Sequence, residues 1–227
     1  MRKLAIAMPA RDAMEVMTAF DFATAVGWHC TQFPEDTLIP LVSMGTLLVS
    51  QRHELVDMAQ KEGATHILWL DSDMRFPADL FSRLLDRDMD VVAANCPKRR
   101  MPIGPTAGNF DVETRRKVDV FTRPESTGLE QVDMVGTGVM LCRMSVFDQI
   151  PKPYFATPWV AEANSYQGED VYFCKLLKDA GIPVFIDHDV SKEIGHIGNF
   201  EYRHNHVWAV ADIKEAKKKE KLIEVVV

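Results

Sequence analysis

Residues Thr65 to Asp73 read THILWLDSD, an apolar run rich in β-formers that stops on two carboxylates one residue apart. The run predicts a buried strand over Thr65–Leu70 that delivers Asp71 and Asp73 to its exit. In an open α/β sheet, ligands gather outside the carboxyl ends of the strands, so these acids stand where chemistry is usually done. Side chains two residues apart on an extended segment share one side, where like charges repel unless a cation sits between them. A hard divalent ion is the simplest such cation. The triplet also has a purely local use: Phe76-Pro77-Ala78-Asp79 begins a helix, and Asp73 could serve near its start.

Upstream, Lys3 to Met8 reads as a short buried strand stopped by Pro9, and Ala13 to Val26 carries apolar residues at helical spacing. Thr46 to Glu62 repeats the helical pattern, with Leu48, Leu55, Met58 and Ala59 on one face and Gly63 just past its end. Downstream follow a helix from Ala78 to Asp86 and a strand from Asp90 to Ala94. This order predicts an α/β fold with a Rossmann-like, mostly parallel sheet and crossover helices.

After Cys96-Pro97 the periodicity weakens, and loops with short antiparallel strands are expected as far as Gly128. Gln131–Val135 and Val139–Cys142 are strand-like around Gly136-Thr137-Gly138, and Met144–Ile150 reads as a short helix closed by Pro151. Gly168-Glu169-Asp170 opens a helix to Ala180, stopped by Gly181, and Pro183–Ile186 is a last strand. The expected organisation is one domain over residues 1–210, in two halves at 1–97 and 98–210. Residues 211–227 read as a charged helix or tail.

The 227 residues are enough for a sizeable core. Lys+Arg 26 against Asp+Glu 33 gives a net charge of −7, which argues against generic polyanion binding over the whole surface. Basic residues still cluster at Lys98-Arg99-Arg100, at Arg115-Arg116-Lys117 and within Lys217–Lys221. The four cysteines, Cys30, Cys96, Cys142 and Cys174, lie far apart beside apolar stretches and are expected to be reduced core residues. No stretch has the apolar length of a membrane span, and the start lacks a secretory cleavage pattern, so a cytoplasmic protein is expected.

Asp71-Ser72-Asp73 after a strand, Gly168-Glu169-Asp170 at a helix start and Gly195-His196-Ile197-Gly198 after the last strand together resemble a GT-A glycosyltransferase of the family 2 type. The resemblance also takes in Met8–Arg11 (MPAR) and Gly136–Phe147 (GTGVMLCRMSVF), and it covers most of the chain up to about residue 200. It implies a GT-A fold, with residues 1–97 as a nucleotide-sugar-binding half and 98–210 as an acceptor-binding and catalytic half, and transfer of a sugar from a nucleoside diphosphate sugar, with a UDP-sugar expected, to an acceptor hydroxyl. It further implies Asp73 as direct ligand of Mn²⁺ or Mg²⁺, and Asp71 near the ribose or a metal-bound water. His196 is implied as the late histidine that closes the metal site, with Asp170, beside Glu169, as the general base of an inverting reaction.

Elementary chemistry is consistent with these implied roles. A departing nucleoside diphosphate develops charge that a metal neutralises as a Lewis acid. Oxygen-rich sites suit Mg²⁺ or Mn²⁺, and a histidine tilts the choice to Mn²⁺. On a helix from Glu169, Asp170 lines up with Phe173, Cys174 and Leu177 on the core-facing side. Acids in a first turn also simply favour the helix dipole, which would account for Glu169 or Asp170 without catalysis. The crowd of His188, His196, His204 and His206 leaves a zinc site open on paper, but the spacing matches no common signature; His188 competes with His196 as the metal ligand.

Around this centre, Pro9, Ala10 and Arg11 are implied as a cradle for the nucleoside, Arg52 in SQRHEL resembles an arginine that reaches the donor, and Asp71, Ser72 and Asp73 are implied as further donor-binding residues. The family often has Arg-Asn where this chain has Arg52-His53, and either arginine is otherwise an ordinary surface residue. Lys98–Arg100 are further candidates for phosphate or acceptor contact. Gly136-Thr137-Gly138 lacks the strand-to-helix context of a dinucleotide fingerprint, so Gly138 is read as a close backbone approach beneath the sugar. Trp159 either stacks on a sugar or base or is an ordinary packed tryptophan.

Two other functions compete. A sugar-nucleotide-forming nucleotidyltransferase would carry a glycine-rich loop after the first strand, which MPARDAME lacks. A non-catalytic nucleotide-sugar binder would have no need for Asp71, Asp73, Asp170 and His196 together. The acceptor is open among a glycan, a protein, a small molecule and a modified nucleobase in DNA, and the oligomeric state is not legible.

Overall fold

The computed structural model describes residues 1–111, 113, 116–198, 201–213 and 215. Strand and helix alternate first as β1 (Lys3–Ala10), α1 (Val16–Gln32), β2 (Thr37–Met44), α2 (Leu48–Lys61) and β3 (His66–Leu70). The short β4 (Met74–Arg75), α3 (Leu80–Asp86) and β5 (Val91–Ala93) follow. The middle of the chain forms β6 (Gly108–Asp111), β7 (Arg116–Asp119), β8 (Leu129–Val132), β9 (Val139–Arg143), β10 (Trp159–Val160) and β11 (Ser165–Tyr166). The last part holds α4 (Glu169–Asp179), β12 (Val184–Asp187), α5 (His188–Ser191), β13 (Gly195–Ile197) and β14 (Glu201–Arg203), then a helix over 204–213.

The architecture is mixed α/β around a seven-stranded sheet in the order β2-β1-β3-β9-β5-β12-β8, with three small antiparallel sheets beside it. β1, β2 and β3 are parallel neighbours, as are β5 and β12, while β9 and β8 run against the strands beside them. β9 from the second half of the chain therefore lies between β3 and β5 of the first.

The central strands are apolar on both faces because helices cover both. Ala5, Ala7, Ile67 and Trp69 point to the side of α2 and α4, where Leu55, Val56, Phe173 and Leu177 are buried with Phe147 and Phe155. Leu4, Ile6, Leu68 and Leu70 point to the other side, against Ala25 of α1, Phe81 and Leu84 of α3 and Val190 of α5. The period of two in the strands sorts residues between these two layers.

Several expected elements are recast by the fold. β2 has no counterpart in the sequence reading, because it is an edge strand whose Pro40 pairs with Ile6 and whose faces are largely exposed. α1 extends to Gln32, beyond the expected end at Val26, and the short helix expected over Met144–Ile150 is a 3₁₀ helix over Met144–Asp148. Cys96, Cys142 and Cys174 are buried free thiols, and burial pushes that of Cys174 up to about 12; Cys30 is exposed, contrary to the expectation of a core residue. No helix among the described residues is long and apolar enough to cross a membrane. The charged tail expected over 211–227 lies for the most part outside the described residues, as does the basic cluster Lys217–Lys221.

Candidate active site

Parallel pairing of β1 with β3 brings the ends of both strands side by side, so the turns that follow Ala10 and Leu70 adjoin. The Glu15 amide donates to the Ser72 carbonyl at 2.9 Å, and this joins the loop after β1 to the Asp71–Asp73 turn. Asp71 is anchored by its own amide, which donates to the Gly138 carbonyl at 2.9 Å. A side chain at Gly138 would put its Cβ 3.3 Å from Asp71 Oδ2 and 3.5 Å from Met74 Sδ. Glycine thus lets the chain after Gly136 pass directly against the carboxylate; the close approach expected there is made to Asp71.

The short β4 continues from the acidic turn and pairs antiparallel with β13, with His196 opposite Met74. The Ile197 amide donates to the Asp73 carbonyl at 2.8 Å. This strand pair sets His196 Nε2 3.3 Å from Asp73 Oδ2. His196 Nδ1 lies 2.9 Å from the Pro97 carbonyl oxygen, which can only accept, so Nδ1 carries the proton and Nε2 is the atom presented to Asp73. A ring oriented through its second nitrogen by a backbone carbonyl is the arrangement metal-binding histidines use.

Charges around Asp73 are coupled. Burial works against its ionised form, but the hydrogen bond and charge of His196, together with Arg99, hold the carboxyl below the usual range. Burial likewise works to lower His196, and the bond and charge of Asp73 with the Pro97 carbonyl outweigh it and raise the imidazole. Arg99, from the loop after β5, places Nη1 2.6 Å from Asp73 Oδ2 and 3.2 Å from the Ile197 carbonyl. Sequence reasoning named Lys98–Arg100 only as phosphate or acceptor contacts, and had no means to see that Arg99 faces Asp73.

Arg52 is positioned differently from the expectation of a donor-contacting arginine. It is 1% exposed, with its guanidinium 5.3 Å from the Trp69 ring and 5.7 Å from that of Phe155. Nη2 donates to Asp71 Oδ1 at 3.3 Å, and Nε stands 3.5 Å from Glu169 Oε1, an ion-pair distance without hydrogen-bond geometry. Arg52 therefore ties the acidic turn to the first turn of α4 from below. His53 helps to fix this floor, since its Nδ1 engages the Val49 carbonyl at 2.8 Å and its Nε2 accepts from the Tyr154 amide at 3.0 Å. Burial raises the Glu169 carboxyl, which Arg52 opposes and Asp170 reinforces.

Asp170 sits one residue further along α4, half-buried, with Oδ1 accepting from the Val171 amide at 2.7 Å. It lines a cleft of ≈ 520 Å³ together with Gly168, His196, Lys98, Arg99 and Lys117. A second cleft of ≈ 360 Å³ is lined by Pro9, Ala10 and Arg11 with Gly45, Thr46 and Gln51. The side chain of Gln51 donates to the carbonyls of Ala10 at 2.6 Å and Ser43 at 2.9 Å, which fixes the turn after β1.

Two expected residues lie elsewhere. His188 is buried with Nδ1 2.9 Å from Thr122 Oγ1 and Nε2 2.9 Å from Glu130 Oε2, so both ring nitrogens are engaged away from Asp73. Trp159 is 53% exposed on the β10–β11 hairpin, edge-on to the exposed Tyr166 with ring centroids 5.1 Å apart; it is not a packed core tryptophan.

Once Nε2 gives up the proton it shares with Asp73, Asp73 and His196 together offer an oxygen and a nitrogen lone pair to one point. Among the described residues no cluster of three or more His, Cys, Asp or Glu side chains forms a protein-only cage. The donor set fits a hard or borderline cation that completes its shell with phosphate oxygens, as Mg²⁺ and its relatives do.

No protein-family model matches the chain, and no curated protein matches it in sequence. Its fold is similar to the crystal structure of A197 from STIV, at 16% sequence identity and a TM-score of 0.56, over 87% of this chain and 86% of that one. At this identity the likeness is one of fold.

Proposed function

We propose that the chain is a metal-dependent glycosyltransferase of the GT-A type that moves a sugar from a nucleoside diphosphate sugar, expected to be a UDP-sugar, to an acceptor hydroxyl with inversion. The observation that carries this reading is the pairing of β4 with β13, which sets Nε2 of His196, a residue that lines the same cleft as Asp170, against Asp73. Asp73 and His196 would hold Mn²⁺ or Mg²⁺, which when bound supplies Lewis-acid neutralisation of the leaving diphosphate.

The remaining roles belong to the chain itself. The turn Pro9–Arg11 offers a fixed cleft for the nucleoside. Arg52 holds Asp71 and Glu169 in place through its ion pairs, and Glu169 acts by that positioning. The Asp170 carboxylate takes the proton of the acceptor hydroxyl as the oxygen bonds to the anomeric carbon. The bond from that carbon to the diphosphate oxygen breaks on the opposite face, and UDP leaves with the electron pair. A base so placed contributes about 10²- to 10⁴-fold.

Calorimetry with UDP tests the reading. UDP should bind in the presence of Mn²⁺ and lose most of its affinity in EDTA or in Asp73→Ala. Equal affinity with and without the ion would sink the metal assignment, and a product that keeps the donor's anomeric configuration would sink inversion.

A further inference from the structure

The cleft that holds Asp170 has a cationic wall. Lys98, Arg99, Arg100 and Lys117 all line it. Two of these charges are already matched. Arg99 is taken by Asp73, and Lys117 Nζ reaches Thr106 O at 3.0 Å, Pro105 O at 3.3 Å and Asp119 Oδ1 at 3.0 Å, which uses its three donors. No carboxylate among the described residues forms an ion pair with Lys98 or Arg100. Lys98 moreover faces the Lys117 ammonium, a like-charge neighbour, and burial followed by Lys117 pulls the Lys98 amine down to about 8. Asp119, which is paired to Lys117, offsets this only in part, and an anion joined to Lys98 would oppose both its burial and its like-charge neighbour.

The position of this wall separates it from the nucleoside cleft. The Pro9–Arg11 cleft and the Asp170 cleft share no lining residue, and the Asp71–Asp73 turn is bonded to both sides, through Glu15 on one and through His196 and Arg99 on the other. Lys98 and Arg100 therefore stand on the side of Asp170. Their two unmatched positive charges would balance those of a phosphate monoester, about −1.5 to −2 near neutral pH.

We propose that the acceptor carries a phosphate monoester, bound by Lys98 and Arg100 so that a neighbouring hydroxyl is directed at Asp170. The identification of this anion as the acceptor rests on the reading of Asp170 as the base. The anion site itself rests on the cationic wall alone.

Calorimetry with glycerol 3-phosphate as the probe, with and without saturating UDP and Mn²⁺, tests the proposal, and glycerate and glycerol serve as the carboxylate and uncharged controls. The phosphate ester should bind in both states and more tightly than glycerate, while glycerol should not bind. Lys98→Met keeps the aliphatic stem and should weaken it about tenfold, the order of one lost charge-assisted hydrogen bond, while Lys98→Arg retains it. UDP affinity and the circular dichroism spectrum report that the variants are folded. Displacement of the probe by UDP would assign the cations to the donor's diphosphate and overturn the proposal, as would absence of binding or an equal preference for glycerate. If UDP fails to bind under any condition, the donor reading falls, and the probe still decides the anion site.

Discussion

Nε2 of His196 stands 3.3 Å from Oδ2 of Asp73, although the two residues are far apart in the chain, because β13 pairs with β4 immediately after the acidic turn. The same carboxylate oxygen is 2.6 Å from Arg99 Nη1. Asp73 thus has a cation beside it supplied by the protein, and its lone pairs are shared between an oriented imidazole and a half-exposed guanidinium.

On the proposed metal reading, this arrangement makes Arg99 a competitor of the ion for Asp73. Arg99→Ala should bind Mn²⁺ more tightly than the unaltered protein in the absence of nucleotide, by about tenfold, since the lost contact is a charge-assisted hydrogen bond on a partly exposed pair. Electron paramagnetic resonance of free Mn²⁺ measures this directly. Weaker binding in the variant would show that Arg99 orients Asp73 instead.

Asp170→Asn keeps the size of the side chain and its ability to accept from the Val171 amide, but cannot take up the acceptor proton. Binding of UDP and Mn²⁺ should remain near normal while transfer falls by about 10² or more. Loss of donor affinity in step with loss of turnover would make Asp170 a structural residue.

Replacing Arg52 by Ala leaves Glu169 and Asp71 facing each other without their shared cation and removes the group that fills the space between Trp69 and Phe155. Because both carboxylates are partly exposed, the cost should fall near the lower end for a broken buried pair, about 3 kcal/mol. A urea titration reads it as a lower midpoint. An unchanged midpoint with impaired donor binding would return Arg52 to a direct contact with the donor.

His204 sets an acid limit on the fold. Its ring is buried with Nε2 against the Asn95 carbonyl, and burial lowers it from 6.5 to about 4. The folded-state value lies below the unfolded one, so the full contribution is present above about pH 6.5 and is lost as pH falls toward 4, on the order of 3 kcal/mol in all. Buried His29 is lowered for the same first cause and adds to the trend. Urea midpoints measured down the pH scale should show the decline, and His204→Gln, which keeps a neutral donor, should flatten it.

The sequence by itself determined the elements whose pattern is local. Apolar runs marked β1, β3, β5, β9 and β12; the 3.6-residue spacing and the glycine stops marked α2 and α4; and the acids at the end of β3 and the start of α4 were visible because they follow breaks in those patterns. Only the tertiary structure decided what meets. The insertion of β9 between β3 and β5, the pairing of β4 with β13 and the burial of Arg52 between two acidic turns depend on contacts between distant segments, which no local periodicity encodes. Edge strand β2 escaped for the opposite reason: with a neighbour on one side only, it tolerates Pro40 and exposed side chains, and so lacks the apolar pattern that burial on both faces imposes on the centre of the sheet.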